Sequence, residues 1–397
     1  MGGNVLLISQ NFYPELGSAA NRMKKMFEQL DSKGYHPVIV TTEPSYPNRD
    51  LFKTNQYFND EYLNHLEGKR IHRIKMRFQK QHPNLLFRLL YYIELMLKIR
   101  FYLKKAGKFQ NIIVSSPNIF LAWGTLFFKV NKKAKYFLEI RDLWPDSFLE
   151  LKQGKIKYIA PLLKFLEKKM YQQADEIIVN NPYFEKHINQ LTDRQKNYIY
   201  LPNALSKEER NVVEKLEAFS VIYTGNVGYA QNVDELIEIA RLLNQHQIHF
   251  TAVIYGVQAD KFRKVVKEEH LEYVNLIPPM ERQSCLHLIS QHHVSLSILQ
   301  NTNIFMNVMP GKVIDSIGSN TPVISNLGGE TYQLINKNEI GFSKKSATPH
   351  EIVTYIINLK NDTNRLKSVI NNTQKVSESH FNWEKNINKL TRALRGD

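Results

Sequence analysis

The chain has 397 residues and a net charge of +15, which suits two domains of about 200 residues each and excludes a small single-core protein. Apolar residues make up 43% of the chain, enough for globular cores, and the single cysteine, Cys285, excludes an internal disulfide and fits a reducing cytoplasm. No uncharged apolar run of about 18 residues occurs, and no basic segment precedes an apolar core at the start. We therefore expect neither a membrane-spanning helix nor a signal peptide.

Strand and helix patterns alternate along the first half of the chain. Short apolar runs typical of buried parallel strands occur at 4–10, 36–43, 111–117, 135–142 and 176–182. Helical patterns lie between them, including one that ends at Gly34 and one over 158–173. Strand, helix and strand in repetition imply right-handed crossovers and a doubly wound parallel sheet.

The same pattern starts again after a linker near residues 200–206. Strand patterns recur at 219–228, 249–256, 274–280, 294–299 and 322–325, with helices between them and a further helix over 349–360. The predicted fold class is therefore α/β, with two Rossmann-like sheets, over 1–200 and 201–377, that face each other across a cleft. Residues 378–397 predict a C-terminal helix, anchored by Phe381 and Trp383, that we expect to pack back toward the first domain.

The basic charge is concentrated in residues 69–108, which hold twelve Lys and Arg side chains against one acid, Glu94. This stretch includes the apolar, aromatic run LLFRLLYYIELMLKIRFYLKK. Its composition suits an interfacial helix on an anionic bilayer, and a buried helix with a solvated basic face fits it as well. A nucleic-acid groove is disfavoured, because the chain has no zinc-finger spacing, RNP-like aromatic motif or basic zipper.

A glycine turn follows the first strand of each domain. Gly17 and Ser18 lie between the first strand and the first helix, and TGNVG, residues 224–228, holds the same place in the second domain. Small residues there let backbone N–H groups approach a ligand, and a helix N-terminus favours an anion. Neither turn completes G-x-G-x-x-G, so a nicotinamide cofactor is not favoured, and taken alone the Gly17 segment is better explained by a plain turn.

The most informative motif is MPGKVID, residues 309–315. Pro310 fixes the chain before a helix start, and Gly311 allows a ligand to approach closely. Lys312 places a cation at the helix mouth, where its charge and the helix dipole both act on a phosphate. Asp315 lies on the same helix face and can accept hydrogen bonds from both hydroxyls of a ribose. The motif predicts a site for a nucleotide diphosphate, and a solvated Lys–Asp pair is the alternative.

In these segments the chain resembles the retaining GT-B glycosyltransferases of family 4, and among them a bacterial capsule and O-antigen branch with fucosaminyltransferase-like members. The matching segments, spread over nearly the whole chain, are FYPELGSAANRMKKMFEQLDSKGYHPVIVTTEPSYP, EIRDLWPDS, LPNA, YTGNVG with Gln231, and MPGKVIDSIGSNTPVIS. The resemblance implies an acceptor-binding first domain and a nucleotide-sugar-binding second domain. It also implies an enzyme that transfers a hexose or an N-acetylhexosamine.

The resemblance places Gly17 and Ser18 beside the donor diphosphate and the acceptor. Arg141 or Asp142 corresponds to the region that touches the donor sugar, so both join Lys312 as candidate catalytic residues. Many relatives have a His at that point, which this chain lacks. A packed strand end explains the segment without a ligand.

The resemblance also implies donor-binding residues in the second domain. The family's two glutamates, separated by seven residues, fall on Asn307 and Asp315. Asp315 keeps the ribose role, whereas Asn307 can form hydrogen bonds but carries no charge. Further candidates lie in four other places. Gly225 is in the glycine turn, Tyr255 ends the following strand, and Met280 is near the uracil contact. Pro310 and Gly311 stand at the start of the Lys312 helix.

The diphosphate charge must be balanced differently from most relatives. The Arg and Lys that many relatives use fall on Asn226 and on Gln231 or Asn232. Neutralisation then shifts to Lys312, the helix dipole and Arg282. No D-x-D motif occurs and the His residues lack metal-ligand spacing, so we expect no metal and no cofactor besides the UDP-sugar substrate.

The predicted reaction is transfer of a sugar from a UDP-sugar to a polyprenyl-diphosphate-linked saccharide in capsule or surface polysaccharide synthesis, with retained anomeric configuration. N-acetylfucosamine or a related N-acetylhexosamine is the sugar that the resemblance implies. Residues 69–108 would hold the enzyme, as a peripheral cytoplasmic protein, on the inner face of the cell membrane. The alternatives are a UDP-sugar 2-epimerase on the same fold and a basic non-enzymatic scaffold.

Overall fold

The computed structural model describes residues 3–46, 48–80, 82, 84–116, 118–146, 160–192, 195–210, 213–302 and 305–396, apart from the side chains of Leu85 and Asn307. The chain forms two compact units. The first comprises Met1–Pro202 together with Glu384–Asp397, and the second comprises Asn203–Trp383. The chain therefore passes from one unit to the other inside the predicted linker.

A parallel sheet forms the centre of the first unit. Its described strands are β1 (Asn4–Ile8), β2 (His36–Thr42), β3 (Ile71–Ile74), β4 (Asn111–Ser115), β5 (Lys135–Ile140), β6 (Glu176–Val179) and β7 (Tyr198–Tyr200). They lie in the order β3-β2-β1-β4-β5-β6-β7. Val5 of β1 pairs with both Pro37 and Asn111, so the strand order reverses at β1. Ligands bind beside such a reversal, outside the carboxyl ends of the strands.

Helices connect these strands, and several of them begin where a polar side chain caps the first turn. They are α1 (Ser18–Ser32), α2 (Glu61–Leu66), α3 (Leu85–Lys105), α4 (Ile119–Leu126), α5 (Ala160–Gln173) and α6 (Pro182–Leu191). The side chains of Asn84, Asn118 and Asn181 accept hydrogen bonds from the first turns of α3, α4 and α6. Such caps satisfy N–H groups that have no partner inside the helix.

The second unit has its own parallel sheet. Its described strands are β8 (Ser220–Asn226), β9 (His249–Tyr255), β10 (Val274–Ile277), β11 (Val294–Ser297), β12 (Val323–Ser325) and β13 (Gly341–Ser343). Their order is β10-β9-β8-β11-β12-β13, which reverses at β8. The helices are α7 (Val233–Gln245), α8 (Ala259–Glu268), α9 (Arg282–Gln291), α10 (Gly311–Gly318), α11 (Gly329–Lys337), α12 (Pro349–Asn361) and α13 (Thr363–His380), followed by α14 (Trp383–Arg395).

The prediction of two doubly wound parallel sheets is confirmed. The short strands β3, β7 and β13 were not predicted, because three or four residues at a sheet edge leave only a weak apolar pattern. Among the described helices, α3 included, none combines the length and the apolarity needed to cross a bilayer.

The C-terminal segment ends in α14 and is preceded by α13, a helix that was not predicted. Helix α13 begins at Thr363, and the chain then bends at Phe381 before α14. The backbone of Phe381 and Trp383 exchanges hydrogen bonds with Leu205 of the second unit, at 3.2 and 3.3 Å. From Glu384 onward the chain belongs to the first unit, where the Tyr35 hydroxyl donates to the Thr391 carbonyl at 3.0 Å.

Candidate active site

The glycine turn of the second unit lies at the carboxyl end of β8, where the strand order reverses. Gly225 adopts a φ of +112°, in the left-handed region that favours glycine. The N–H of Gly228 donates to Oε1 of Gln231 at 2.8 Å, so the Gln231 side chain closes the turn. Two of the predicted donor-binding residues, Gly225 and Gln231, therefore belong to one tight turn before α7.

The end of β9 packs directly against this turn. The N–H of Val227 donates to the Tyr255 carbonyl at 2.6 Å. Gly256, with a φ of +107°, follows Tyr255, and a Cβ there would lie 2.0 Å from Oδ1 of Asn226. Only a residue without a side chain allows this approach. The structure thus brings Asn226 and Tyr255 together, as strand neighbours at the carboxyl end of the sheet.

Lys312 lies at the start of α10, which begins after Pro310 in an extended conformation. Its ammonium donates to the Tyr223 hydroxyl at 2.7 Å and lies 3.9 Å from the centroid of the Tyr223 ring. Burial lowers the pKa of Lys312 to about 7. Within the described chain this ammonium has no carboxylate partner. A partly buried cation without a counter-ion favours an anionic ligand, since the ligand would restore the missing charge balance.

Asp315 is held in place by an arginine. Arg282, at the start of α9, donates from Nη2 to Oδ1 of Asp315 at 3.0 Å and from Nε to Oε1 of Glu209 at 2.6 Å. Burial alone would lower the pKa of Arg282, but Asp315 and Glu209 raise it above its ordinary value. Because two carboxylates already engage this guanidinium, its geometry does not favour the predicted contact with a diphosphate. It favours orientation of the Asp315 carboxylate instead.

A second polar network joins α7 to the loop after β12. Nδ2 of Asn326 lies 3.1 and 3.2 Å from the two carboxylate oxygens of Glu235, and Asn232 donates to the same carboxylate at 3.0 Å. Burial raises the pKa of Glu235 to about 7, which these hydrogen bonds oppose. Asn326 also bonds both backbone groups of Leu299, after β11. Three loops at the carboxyl edge of the sheet are thereby fixed to one another.

The remaining predicted residues of this unit lie in neighbouring loops. Met280 is partly exposed between β10 and α9. Asn307 ends a short 3₁₀ turn that starts at Phe305, and its side chain lies outside the described atoms. The preceding residue, Met306, accepts the Gly328 N–H at 2.9 Å, which ties this turn to the start of α11.

The predicted residues of the first unit lie at the carboxyl ends of β1 and β5. Gly17 precedes α1 with a φ of +119°, and a Cβ there would lie 3.4 Å from the Tyr46 ring. Ser18 is the first residue of α1. Arg141 and Asp142 directly follow β5. Ser147, the last residue of the EIRDLWPDS segment, lies outside the described residues.

Arg141 adjoins an interior ion pair that sequence reasoning missed. Arg22 of α1 donates to Glu139 at 2.6 Å, and Ser115 donates to the same carboxylate at 2.5 Å. Burial lowers the pKa of Arg141 to about 10, although Glu139 opposes this, and its buried Nε has no hydrogen-bond partner within the described chain. Fully buried Arg and Glu side chains require one another. This cluster fixes the ends of β4 and β5 against α1.

The sequence carries little signal for the residues that were missed. Glu235 follows a capping Asn by three residues, which is typical of an ordinary helix start. Tyr223 alternates with apolar neighbours as any strand residue does. Glu209 lies in a charged stretch and follows Ser206 by three residues, a capping box that is typical of an ordinary helix start. Among the described side chains, no group of three or more His, Cys, Asp or Glu is placed to hold a metal ion.

Comparison with known proteins assigns a class to this arrangement. The profile of the family described as "Glycosyl transferases group 1" matches residues 206–376, within the second unit. The chain is 22% identical over 351 residues to the putative colanic acid biosynthesis glycosyl transferase WcaI of Escherichia coli K12, covering 83% of this chain and 85% of that one.

Solved structures share the fold over the full length. A sucrose-phosphate synthase from Thermosynechococcus elongatus superposes with a TM-score of 0.74 at 14% identity, covering 99% of this chain and 98% of that one. Anabaena HepE in complex with UDP and glucose superposes with a TM-score of 0.68 at 12% identity over the whole of both chains. The chain is therefore a glycosyltransferase with two Rossmann-like domains of the GT-B type.

Proposed function

We propose that the protein is a retaining glycosyltransferase that moves a sugar from a UDP-sugar to a polyprenyl-diphosphate-linked saccharide in surface polysaccharide synthesis. The observation that carries the proposal is Lys312, a partly buried cation at a helix mouth beside the glycine turn. Two relatives support it by what their names state: WcaI is named for colanic acid biosynthesis, and HepE was solved with UDP and glucose.

The donor diphosphate would lie at the start of α10. Lys312 supplies one positive charge there, and the N–H groups of the first helical turn and of the glycine turn at Gly225 supply hydrogen bonds. Asp315, already oriented by Arg282, would accept hydrogen bonds from the ribose hydroxyls. An oriented carboxylate loses little side-chain freedom on binding, so the Arg282 contact adds both affinity and selectivity.

The chemistry would be driven by stabilisation of the leaving diphosphate. The bond between the anomeric carbon and the phosphate oxygen breaks, and a bond forms on the same face to the acceptor hydroxyl oxygen. The proton of that hydroxyl passes to the departing phosphate oxygen, so no protein base is required. Lys312 and the helix N-terminus oppose the negative charge that grows on the diphosphate, and this is the stabilisation that lowers the barrier. The same donors would make a metal ion dispensable.

A nucleotide panel tests the donor. Calorimetry with UDP, GDP, ADP, CMP and NAD, each with and without EDTA, should show tight binding for UDP alone, unaffected by EDTA. Lys312→Ala should weaken UDP binding and lower turnover by about a hundredfold or more, since it removes the cation at the start of α10. Lys337→Ala, at an exposed position on α11, is the matched control and should change neither. Binding of NAD alone, or full activity of Lys312→Ala, would disprove the assignment.

For the sugar we propose N-acetylfucosamine or a related N-acetylhexosamine, on the basis of the family resemblance. Turnover assays with UDP-N-acetylfucosamine, UDP-N-acetylglucosamine and UDP-glucose, on a polyprenyl-diphosphate saccharide, should favour the N-acetylated donors. Equal turnover of UDP-glucose would refute the preference for an acetamido sugar. Release of a 2-epimer of the donor, with no product on the lipid, would identify an epimerase instead.

Helix α3 gives the enzyme a surface suited to an anionic membrane. One face, with Tyr91, Leu95, Ile99 and Leu103, is buried and packs toward α4. A second apolar face remains exposed, and its residues, given with their exposed fractions, are Leu86 59%, Phe87 40%, Leu89 42%, Leu97 54% and Phe101 61%. Lysines at the end of the helix, Lys104 and Lys105, flank it. We propose that α3 lies in the cytoplasmic membrane surface, where the lipid-linked acceptor resides.

Liposome co-sedimentation tests this surface. The protein should bind vesicles that contain anionic lipid, and binding should weaken as salt is raised. The double variant Leu97→Ser/Phe101→Ser should lose most of this binding, because both side chains are more than half exposed and cannot be needed for the core. Leu216→Ser, an exposed apolar position in the second unit, is the control. Binding that ignores salt, or that survives the double substitution, would refute a role for α3.

A further inference from the structure

A cavity of about 220 Å³ in the first unit is not used by the donor chemistry described above. It opens at the carboxyl ends of β2 and β3, and its wall includes Thr42, Ser45, Asn48, Arg49, Lys80 and Tyr91. These residues come from three separate segments of the chain: the end of β2 and the loop after it, the segment after β3, and α3. The wall is rich in hydrogen-bonding groups, so the cavity suits a polar ligand.

The charge on this wall is balanced everywhere except at Lys80. Arg49 pairs with Glu43 at 3.2 Å, and Asp50, which also lines the cavity, pairs with Lys53 at 2.6 Å. The Lys80 ammonium lies 5.6 Å from the centroid of the Tyr46 ring. Within the described residues it has neither a hydrogen bond nor an ion pair.

The acid whose charge acts on Lys80 is Glu15, and its carboxylate is already engaged. It accepts hydrogen bonds from the Ser45 N–H at 2.7 Å, the Tyr46 N–H at 3.0 Å and the Asn11 side chain at 2.6 Å. Burial lowers the pKa of Lys80, and Glu15 only opposes this lowering in part. A desolvated ammonium that faces a cavity is stabilised when an anion enters it.

The cavity continues into the exposed apolar face of α3. Phe78, which lines the cavity, lies 6.2 Å from Phe87 between ring centroids. Phe87 is itself 40% exposed, and Leu86 beside it is 59% exposed. A ligand with an anionic head in the cavity and an apolar tail along Phe78 and Phe87 would satisfy both surfaces at once.

Tyr46, which follows the cavity residue Ser45, contacts the glycine loop after β1. The Tyr46 ring is the group that a Cβ at Gly17 would touch, at 3.4 Å, and the Leu16 N–H donates to the Tyr46 carbonyl at 3.3 Å. Strands β1 and β2 are neighbours in the sheet. If an anionic head group lies in the cavity, a saccharide attached to that head group can therefore extend toward the Gly17 loop.

We propose that this cavity binds the diphosphate of the lipid-linked acceptor, with Lys80 as its cationic contact and the isoprenoid chain lying along Phe78, Phe87 and α3. The proposal rests on the proposed function for the class of acceptor. It adds a second anion site, for the acceptor diphosphate, to the donor site at Lys312. The sequence alone does not distinguish Lys80 from the other cations of residues 69–108.

Binding of farnesyl diphosphate, a soluble lipid diphosphate, tests the proposal in the presence of EDTA. The full-length protein should bind it, and Lys80→Gln should weaken binding about tenfold or more, as expected for loss of a charge-assisted contact. Lys75→Gln removes the same charge from an exposed position after β3 and should leave binding unchanged. Phe87→Ser should weaken binding of farnesyl diphosphate but not of inorganic pyrophosphate. Unchanged thermal unfolding shows that each variant folds.

Three results would overturn the proposal: equal binding by Lys80→Gln and the wild type, equal binding of farnesol and farnesyl diphosphate, or equal binding of pyrophosphate and farnesyl diphosphate. Titration with UDP separates this proposal from the proposed function. If UDP binds and the Lys80 variant behaves as wild type toward farnesyl diphosphate, only the cavity assignment fails. If farnesyl diphosphate binding depends on Lys80 and UDP does not bind, the donor assignment fails and the cavity assignment stands.

Discussion

Nucleotide binding should be coupled to protonation of Lys312. In the free protein, burial lowers the pKa of this ammonium to about 7, and a bound diphosphate beside it would raise the pKa again. Between these two pKa values the free protein carries a neutral amine and the complex carries a cation, so each binding event takes up a proton. The affinity for UDP should therefore fall as pH rises, by about tenfold per pH unit.

The expected size of the effect follows from the fraction of protein that is protonated. At pH 7 about half of the free protein carries the Lys312 cation, and at pH 9 about one part in a hundred does. The affinity for UDP should thus drop by up to about fiftyfold from pH 7 to pH 9, a range above the second ionisation of a phosphate near pH 6. The contact with the Tyr223 ring stabilises the charged form of Lys312 in the free protein, so the fiftyfold drop is an upper value.

Calorimetry at pH 8 in two buffers of different ionisation enthalpy measures the proton directly. The difference between the two binding enthalpies should correspond to nearly one proton taken up per UDP. Lys312→Arg carries a permanent charge, so its affinity should be almost independent of pH over the same range. An affinity of the wild type that is constant from pH 7 to pH 9 would refute the reasoning, as would a fall in Lys312→Arg as steep as in the wild type.

Two further substitutions test the second unit. Arg282→Met leaves the carboxylates of Glu209 and Asp315 without their cation. Because the Arg282 side chain is partly exposed, we expect the unfolding free energy, measured in urea, to fall by about 2–3 kcal/mol. The same variant should bind UDP and 2′-deoxyuridine diphosphate almost equally, because Asp315 is no longer oriented toward the ribose. If it still preferred UDP as strongly as the wild type does, Arg282 would not position Asp315. Gly256→Ala should lower stability by about 2 kcal/mol or more, since its φ is +107° and a Cβ would clash, whereas Gly107→Ala, with open space around it, should not. Equal stability of the two alanine variants would argue against strain at Gly256.

Much of the fold could be predicted because it depends on local patterns. Each buried strand is a short apolar run bounded by polar or turn residues, as in β8 and β9, and the helix between these two, α7, begins at the capping residue Asn232. Helix α13 was not predicted, because its sequence TNRLKSVINNTQKVSESH holds few apolar residues that would mark a buried helical face. The chain bends after it, at Phe381. The bend is stabilised by hydrogen bonds to Leu205, far away in the sequence.

By itself the sequence determined that this is a two-domain α/β protein and that Lys312 and Asp315 share the face of one helix. A helix start and a spacing of three residues are local properties, so they can be read without a structure. Only the tertiary structure decided what these residues contact. Lys312 meets Tyr223, 89 positions away, and Arg282 meets Glu209, 73 positions away, because the order of strands in the sheet brings their carboxyl ends together. Lys80 is likewise one of twelve cations in residues 69–108 of the sequence, and only the fold shows that it faces a cavity.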